Sequence, residues 1–362
     1  MSAAPIVIMA GGTGGHVYPA LAVARALRGH SLDVVWLGTR RGLESRVIPA
    51  AGIPIEWVQV SGLRGKGLAP LLLAPFRLLH ALWQSLKVML KHRPAAVLGM
   101  GGFVSGPGGL AAFLTRRPLV IHEQNAVAGL TNRLLARLAR VVLQAFPGSF
   151  KPGRKVETVG NPVRTDIAAI AEPVERLAGR SGPLRLLVLG GSQGALALNE
   201  AVPAALSLLP EDRRPLVRHQ AGERTFEAAR GAYRALGIEA DVTPFIEDMA
   251  EAYAWADLVV CRAGALTVAE ISAAGLPAIF VPFPAAVDDH QTANAQPMVE
   301  AGAALIVQQK DLSGESLAEV LERWLASRDA LVARAARARA LARPDALQRI
   351  TAHCLAAAGV SP

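Results

Sequence analysis

Five short stretches hold the residue types from which chemistry can be built. The first, Gly11-Gly12-Thr13-Gly14-Gly15-His16, follows the apolar run Ile6–Met9. Closely spaced glycines let a backbone approach an oxygen-rich ligand, and the N-terminus of a following helix favours negative charge. A bare strand-to-helix turn needs fewer small residues than this. Gly99–Gly106 and Gly190–Ala195 repeat the arrangement after two other apolar runs. None of the three ends in the Lys-Ser/Thr pair of a nucleoside-triphosphatase loop. The first does not fit GxGxxG either. Asp33 begins its strand, whereas a ribose-binding acid belongs at the strand's end, which reads Leu37-Gly38-Thr39-Arg40. Three such turns at equivalent strand ends suit a cleft for phosphate and sugar.

The fourth stretch, Arg262-Ala263-Gly264-Ala265-Leu266-Thr267-Val268-Ala269-Glu270, follows Leu258–Cys261. Gly264 permits a sharp turn, and the helix start after it can face a diphosphate. Thr267 and Glu270 share one helix face. A carboxylate there can accept hydrogen bonds from two ribose hydroxyls; the plainer reading is a solvated helix residue. The fifth, Asp288-Asp289-His290-Gln291-Thr292-Ala293-Asn294, pairs acids with a histidine and so invites a metal. It lacks a DxD, and no second histidine cluster supports it. Helix capping by Asp289, with sugar contacts from Gln291 and Asn294, fits better, and no metal is expected.

The elements that must position these stretches alternate from end to end. Strand runs are Pro5–Ala10, Asp33–Leu37, Ile55–Val58, Ala95–Leu98, Leu119–His122 and Val141–Leu143, then Leu184–Leu189, Leu216–Gln220, Leu258–Cys261 and Ala278–Val281. Helical patterns lie between them, among them Pro19–Arg28, Gly42–Ala51, Leu130–Ala139, Ala195–Leu208, Glu223–Leu236, Leu266–Ala274 and Ser316–Ala326. Such alternation calls for α/β folding with parallel sheets covered on both faces. The halves echo one another: Ile6–Gly15 and Leu186–Gly194 both run from a strand into a glycine-rich turn. The expectation is two doubly wound domains whose facing sheets share a cleft, the ligands lying beyond the C-terminal strand ends. The join falls at Gly160-Asn161-Pro162-Val163-Arg164, where Asn-Pro disfavours helix. The expected domains are 1–161 and 162–343, with a last helix in 344–362 returning to the first.

A chain of 362 residues exceeds one ordinary core. Cys261 and Cys354 form no metal spacing, which suits a reduced compartment. The first apolar run has no Lys or Arg before it and reads as a strand rather than a signal peptide. Residues 1–160 hold 19 Lys and Arg against 5 Asp and Glu, a net of +14, while the remainder nets −5. An anionic partner for the first half follows: nucleic acid, an acidic membrane surface or a phosphorylated substrate. At 5% aromatics and with no basic aromatic motif, nucleic acid is the poorest of the three. Leu68–Lys91 is apolar, flanked by Arg64, Lys66, Lys87, Lys91 and Arg93, and interrupted by Pro70, Pro75 and Arg77, which argue against a spanning helix. It is read as a membrane-surface segment, with a buried helix as the plainer alternative.

GGTGGH, GGFVSGP, HEQN, GNPVR, GGSQGA, ALTVAE and DHQTANA occur in this order over residues 6–300. In that combination the chain resembles the MurG family of peptidoglycan glycosyltransferases, which add GlcNAc from UDP-GlcNAc to lipid I to make lipid II. The resemblance implies two Rossmann-like domains of the glycosyltransferase B type and an inverting reaction without metal or cofactor. It also implies a peripheral place at the cytoplasmic face of the inner membrane, among cell-wall synthesis proteins. Carried over by motif, the UDP-GlcNAc site comprises Thr13, Gly14, Gly15, Asn125, Arg164, Ser192, Ile246, Ala265, Leu266, Thr267, Val268, Ala269, Glu270, Gln291 and Asn294. Uracil falls near Ile246, ribose on Glu270, diphosphate on Ser192 and the Ala265–Leu266 helix start, and GlcNAc on Gln291 and Asn294. The lipid I acceptor falls to the first domain. His16 is the expected base, with acceptor-diphosphate binding or helix capping as its plainer roles and Glu123 as runner-up. Two rivals stand beside this reading: a UDP-GlcNAc 2-epimerase, and a catalytically silent membrane scaffold.

Overall fold

The computed structural model describes residues 4–60, 73–191 and 194–360. Two compact units emerge: one extends to Pro162 and resumes at Arg343, the other is Val163–Ala342.

In the first unit the described strands are β1 (Ile6–Met9), β2 (Val34–Gly38), β3 (Ile55–Trp57), β4 (Ala96–Gly99), β5 (Leu119–Glu123), β6 (Val141–Gln144) and β7 (Val156–Thr158). They pair in parallel in the order β3-β2-β1-β4-β5-β6-β7. Successive side chains point to opposite faces. Ile6, Ile8, Trp36 and Leu98 therefore pack with helices Gly14–Gly29, Glu44–Ala50 and Ala346–Ala358. Val7, Met9, Leu37 and Ile121 pack with helices Ala74–His92, Ser105–Leu114 and Leu130–Leu135. Both faces being covered, the central strands read as unbroken apolar runs.

The second unit holds β8 (Arg185–Leu189), β9 (Leu216–Gln220), β10 (Asp241–Thr243), β11 (Leu258–Cys261), β12 (Ala278–Phe280) and β13 (Ala304–Ile306). These are also parallel, in the order β10-β9-β8-β11-β12-β13. Each run read as a strand is one. Three strands went unread, β7, β10 and β13, each three residues long and at the end of its sheet. An edge strand is half-covered and needs no long apolar run to hold it.

The first helix begins at Gly14, five residues before the expected Pro19, which lies inside it. Pro75 sits in the first turn of Ala74–His92, where a missing N–H costs nothing, so it starts the helix instead of breaking it. Residues 68–72 of the apolar segment lie outside the described residues. The last helix, Ala346–Ala358, lies against Gly14–Gly29 and contributes Ile350, Cys354 and Leu355 to the first unit's core. Gly160 (φ +89°) lets the chain pass Arg343 so closely that a Cβ would stand 2.5 Å from its Cβ.

Candidate functional site

Each sheet has a strand order that reverses once, and there the connections diverge to leave a crevice at the C-terminal strand ends. In the first unit the reversal is at β1/β4, and the adjoining loops are Ala10–Thr13, Met100–Val104 and Gln124–Gly129. In the second it is at β8/β11, beside the loops after β8, β11 and β12. The glycine-rich stretches picked out by residue type are these loops.

In the first unit, two glycine-rich turns touch. A Cβ on Gly102 (φ +81°) would fall 2.4 Å from the Gly11 carbonyl oxygen, and one on Gly101 (φ +99°) 2.5 Å from the His16 ring. The His16 imidazole thus packs on the Gly101 backbone, half-buried, in the first turn of Gly14–Gly29. Thr13 is the N-cap residue, but its side chain makes no capping bond, and the first turn carries no acid. With neither a side-chain cap nor an acid at this helix start, a negative ligand suits it.

Glu44 sets the shape of this turn. It is fully buried, accepts the Gly12 N–H through Oε2 at 2.9 Å, and accepts the Thr39 N–H and Oγ1–H through Oε1 at 2.9 and 2.7 Å. Gly11, Gly38 and Gly42 leave it room, since a Cβ on any of them would collide with its side chain. Sequence reading passed over Glu44. The signal available was an acid among glycines just beyond a strand that ends in Gly-Thr.

The HEQN run serves as a brace. His122 is fully buried; the Gly160 carbonyl can only accept, so Nε2 donates to it at 2.9 Å and Nδ1 accepts from Gln124 at 3.1 Å. Burial lowers its pKa to about 4, so it is neutral. Glu123, the runner-up base, takes N–H donors on both oxygens: Asn125 backbone and side chain on Oε1, Gly129 and Asn132 on Oε2, between 2.9 and 3.2 Å. With 2% exposure its geometry is that of a loop anchor. Asn125 is held in turn by Glu123 and stays half-buried at the sheet edge.

In the second unit, Gly190 and Gly194 make the β8 turn; a Cβ on Gly194 (φ +79°) would meet Thr225 Oγ1 at 2.1 Å. Ser192 lies outside the described residues. Helix Ala265–Ala274 opens at Gly264 with no side-chain cap and no acid in its first turn. One turn on, the half-buried Glu270 accepts Tyr253 Oη–H at 3.1 Å through Oε2. Burial raises the Glu270 pKa, against the hydrogen bond and the Arg164 charge, which lower it. Arg164 precedes the short helix Thr165–Ala168, which packs on Ala265–Ala274, and is clamped by Asp166 through Nε at 3.2 Å and Nη2 at 2.8 Å. A cavity of about 320 Å³ is lined by Arg218, Asp241, Thr243, Phe245, Ile246, Glu251 and Ala252. Ile246 is thus a wall residue of a recess beyond β10.

Two expectations change here. Asp289 occupies the N-cap position of His290–Glu300, but with φ +48° its side chain caps no backbone N–H and accepts the Thr292 hydroxyl at 2.8 Å. Asn294 is fully buried, and its Nδ2 donates to the Ala263 carbonyl at 3.2 Å, pinning the turn before Gly264. Gln291 remains half-exposed, with Oε1 on the Phe283 N–H at 2.9 Å. Among the described residues, no three His, Cys, Asp or Glu side chains cluster to hold a metal.

Known proteins answer to both units. The glycosyltransferase family 28 N-terminal domain matches residues 6–144, and the family 28 C-terminal domain residues 185–350. The UDP-N-acetylglucosamine--N-acetylmuramyl-(pentapeptide) pyrophosphoryl-undecaprenol N-acetylglucosamine transferase of Alkalilimnicola ehrlichii is 62% identical over 97% of this chain and 98% of its own. The crystal structure of Acinetobacter baumannii MurG superposes with a TM-score of 0.86 at 43% identity, covering 97% of this chain and 99% of that one. A solved UDP-N-acetylglucosamine 2-epimerase reaches 0.64 at 14% identity over 99% and 98%, a likeness of fold alone.

Proposed function

Because the chain belongs to glycosyltransferase family 28, we propose that it transfers GlcNAc from UDP-GlcNAc to the C4 hydroxyl of MurNAc in lipid I, with inversion, forming lipid II for peptidoglycan. The near-full-length likeness to a transferase of that name carries the reading, and the two crevices support it.

The second unit takes the donor. The recess at Ile246 suits a flat base, Glu270 the ribose hydroxyls, and Gln291 the sugar. The uncapped start of Ala265–Ala274 offers N–H groups to the diphosphate, and Arg164 stands near Glu270 with its charge fixed by Asp166. As UDP departs it gains negative charge, which the helix start and Arg164 stabilise. The first unit takes the acceptor. His16 draws the proton from the C4 hydroxyl as that oxygen bonds the anomeric carbon. The bond from that carbon to UDP breaks on the opposite face, and its electron pair leaves with UDP.

The first unit also rests on an anionic membrane surface at the cytoplasmic face. Helix Ala74–His92 turns Ala81, Val88 and Met89 inward and leaves Phe76, Leu79, Trp83 and Leu90 exposed by 51 to 71%. The adjoining Ser105–Leu114 helix exposes Phe113 and Leu114, and Arg77, Lys87 and Arg116 are exposed around them. Among the described residues no helix is long and apolar enough to cross a membrane, so the apolar stripe suits insertion at the surface.

The deciding assay is transfer of radiolabelled GlcNAc from UDP-GlcNAc to a short-chain lipid I analogue, with EDTA present and a control lacking acceptor. Acceptor-dependent label in the product is the expected result. Donor binding without transfer would replace this reading with the epimerase, and vesicle binding with no donor binding would replace it with the scaffold.

A further inference from the structure

Tyr253 has no part in the chemistry above, yet it meets the donor site from behind. It stands on helix Met249–Trp255, which packs against Ala265–Ala274, and is 1% exposed. A buried tyrosine hydroxyl needs a partner, and this one spends its hydrogen on Glu270 Oε2 at 3.1 Å. The acceptor is a half-buried carboxylate at the crevice. Arg164 faces the same carboxylate from the Thr165–Ala168 side, and Asp166 fixes Arg164. Cys261, fully buried, is also close enough to act on Tyr253, as is Arg164. A glutamate reaching toward two vicinal hydroxyls has three torsions to fix, and a carboxylate that swings loses the bidentate geometry.

From this arrangement we propose that Tyr253 is a positioning residue for the donor: its hydroxyl holds one oxygen of Glu270, sets the carboxylate toward the ribose hydroxyls, and so makes the site select ribonucleotide over 2′-deoxyribonucleotide donors. The proposal rests on the reading of Glu270 as the ribose ligand. A site built to bond a hydroxyl rejects the analogue that lacks it, provided its polar group is held in place. Without Tyr253 the carboxylate turns among several rotamers and accepts either sugar less well but more equally.

The test compares wild type with Tyr253→Phe, which keeps the ring and its packing. UDP-GlcNAc and its 2′-deoxy analogue are titrated calorimetrically and used as donors in the transfer assay across pH. For Tyr253→Phe the KM for UDP-GlcNAc should rise about tenfold, the loss of one hydrogen bond to a charged group, with kcat nearly unchanged. The preference for the ribo donor should shrink. The acid limb of the KM profile should move to higher pH, because the lost hydrogen bond no longer opposes the effect of burial on Glu270. An unchanged preference and acid limb overturn the proposal, as does an equal loss for both donors with an unmoved limb. Wild type that binds UDP-GlcNAc without preferring it to the deoxy analogue overturns the reading of Glu270 itself, before any variant is made. If Tyr253→Phe does not fold, wild type labelled with 3-fluorotyrosine serves, the chain having only three tyrosines. The fluorine signal of Tyr253 should shift with UDP-GlcNAc and with acidification; a signal indifferent to both overturns the proposal.

Discussion

At the scale of single residues, one half-buried histidine and two buried ones divide the work between chemistry and folding. His16 is held by its ring against Gly101 and remains open to the crevice. His16→Ala should cut transfer turnover by ~10²–10⁴-fold while sparing UDP-GlcNAc affinity, as loss of a general base does; near-normal turnover would remove His16 from that role. His122 and His219 are structural. His219 bonds Tyr233 and Asn199 at 2.9 and 3.0 Å, and burial puts its pKa, like that of His122, at about 4. Both values lie below the ordinary 6.5, so between pH 6.5 and 4 the unfolded chain binds protons that the folded chain refuses. Stability is therefore intact above that window and lost as pH falls through it, by roughly 3 kcal/mol per histidine. Urea unfolding at pH 7 and pH 5 checks this, and a midpoint that does not fall at pH 5 would refute it.

At the scale of elements, helix Ala74–His92 is apolar on two faces, and only one is accounted for by the sheet beneath it. Lys87 Nζ lies over the Trp83 ring, 3.5 Å from its centroid, so the aromatic carries a cation on its face, as suits a membrane interface. Replacing Phe76 and Leu79 by Asp should abolish flotation with anionic vesicles and leave transfer to a water-soluble acceptor intact. Raising the salt should weaken binding of the wild type, because the basic rim is screened within about 8 Å at physiological ionic strength. Vesicle binding that survives both treatments would assign the stripe to another partner.

At the scale of the whole molecule, the chain leaves its first unit after Pro162, builds the second, and comes back at Arg343. The returning helix supplies Ile350, Cys354 and Leu355 to the first core, and its His353 pairs with Glu157 on β7 at 3.0 Å. The first unit's fold thus depends on residues at the far end of the sequence. Ile350→Ala should destabilise it by about 2–5 kcal/mol. The expected signature is earlier urea unfolding, with UDP-GlcNAc affinity little changed in the folded protein because the Ile246 recess, Glu270 and Gln291 lie in the other unit. Loss of donor affinity in step with stability would contradict that division.

What the sequence determined by itself was the parallel α/β architecture and the stretches that lie at its ligand-bearing edges. Those follow from local rules: β-branched runs between helical patterns, glycines where the backbone must turn beside a ligand, and a helix start after each turn. Gly11–His16, Gly190–Gly194 and Gly264–Glu270 were legible because their own composition betrays them. The roles of Glu44, Tyr253 and Asn294 were not, since each acts through a partner far away in sequence: Gly12 is 32 residues from Glu44, Glu270 is 17 from Tyr253, and Ala263 is 31 from Asn294. Glu123 has its partners near in sequence, two to nine residues on, yet its residue type suits a base until its four donors are seen. Whether a polar side chain faces a ligand or braces a turn is settled by burial and by which donors surround it, and only the tertiary structure decides that.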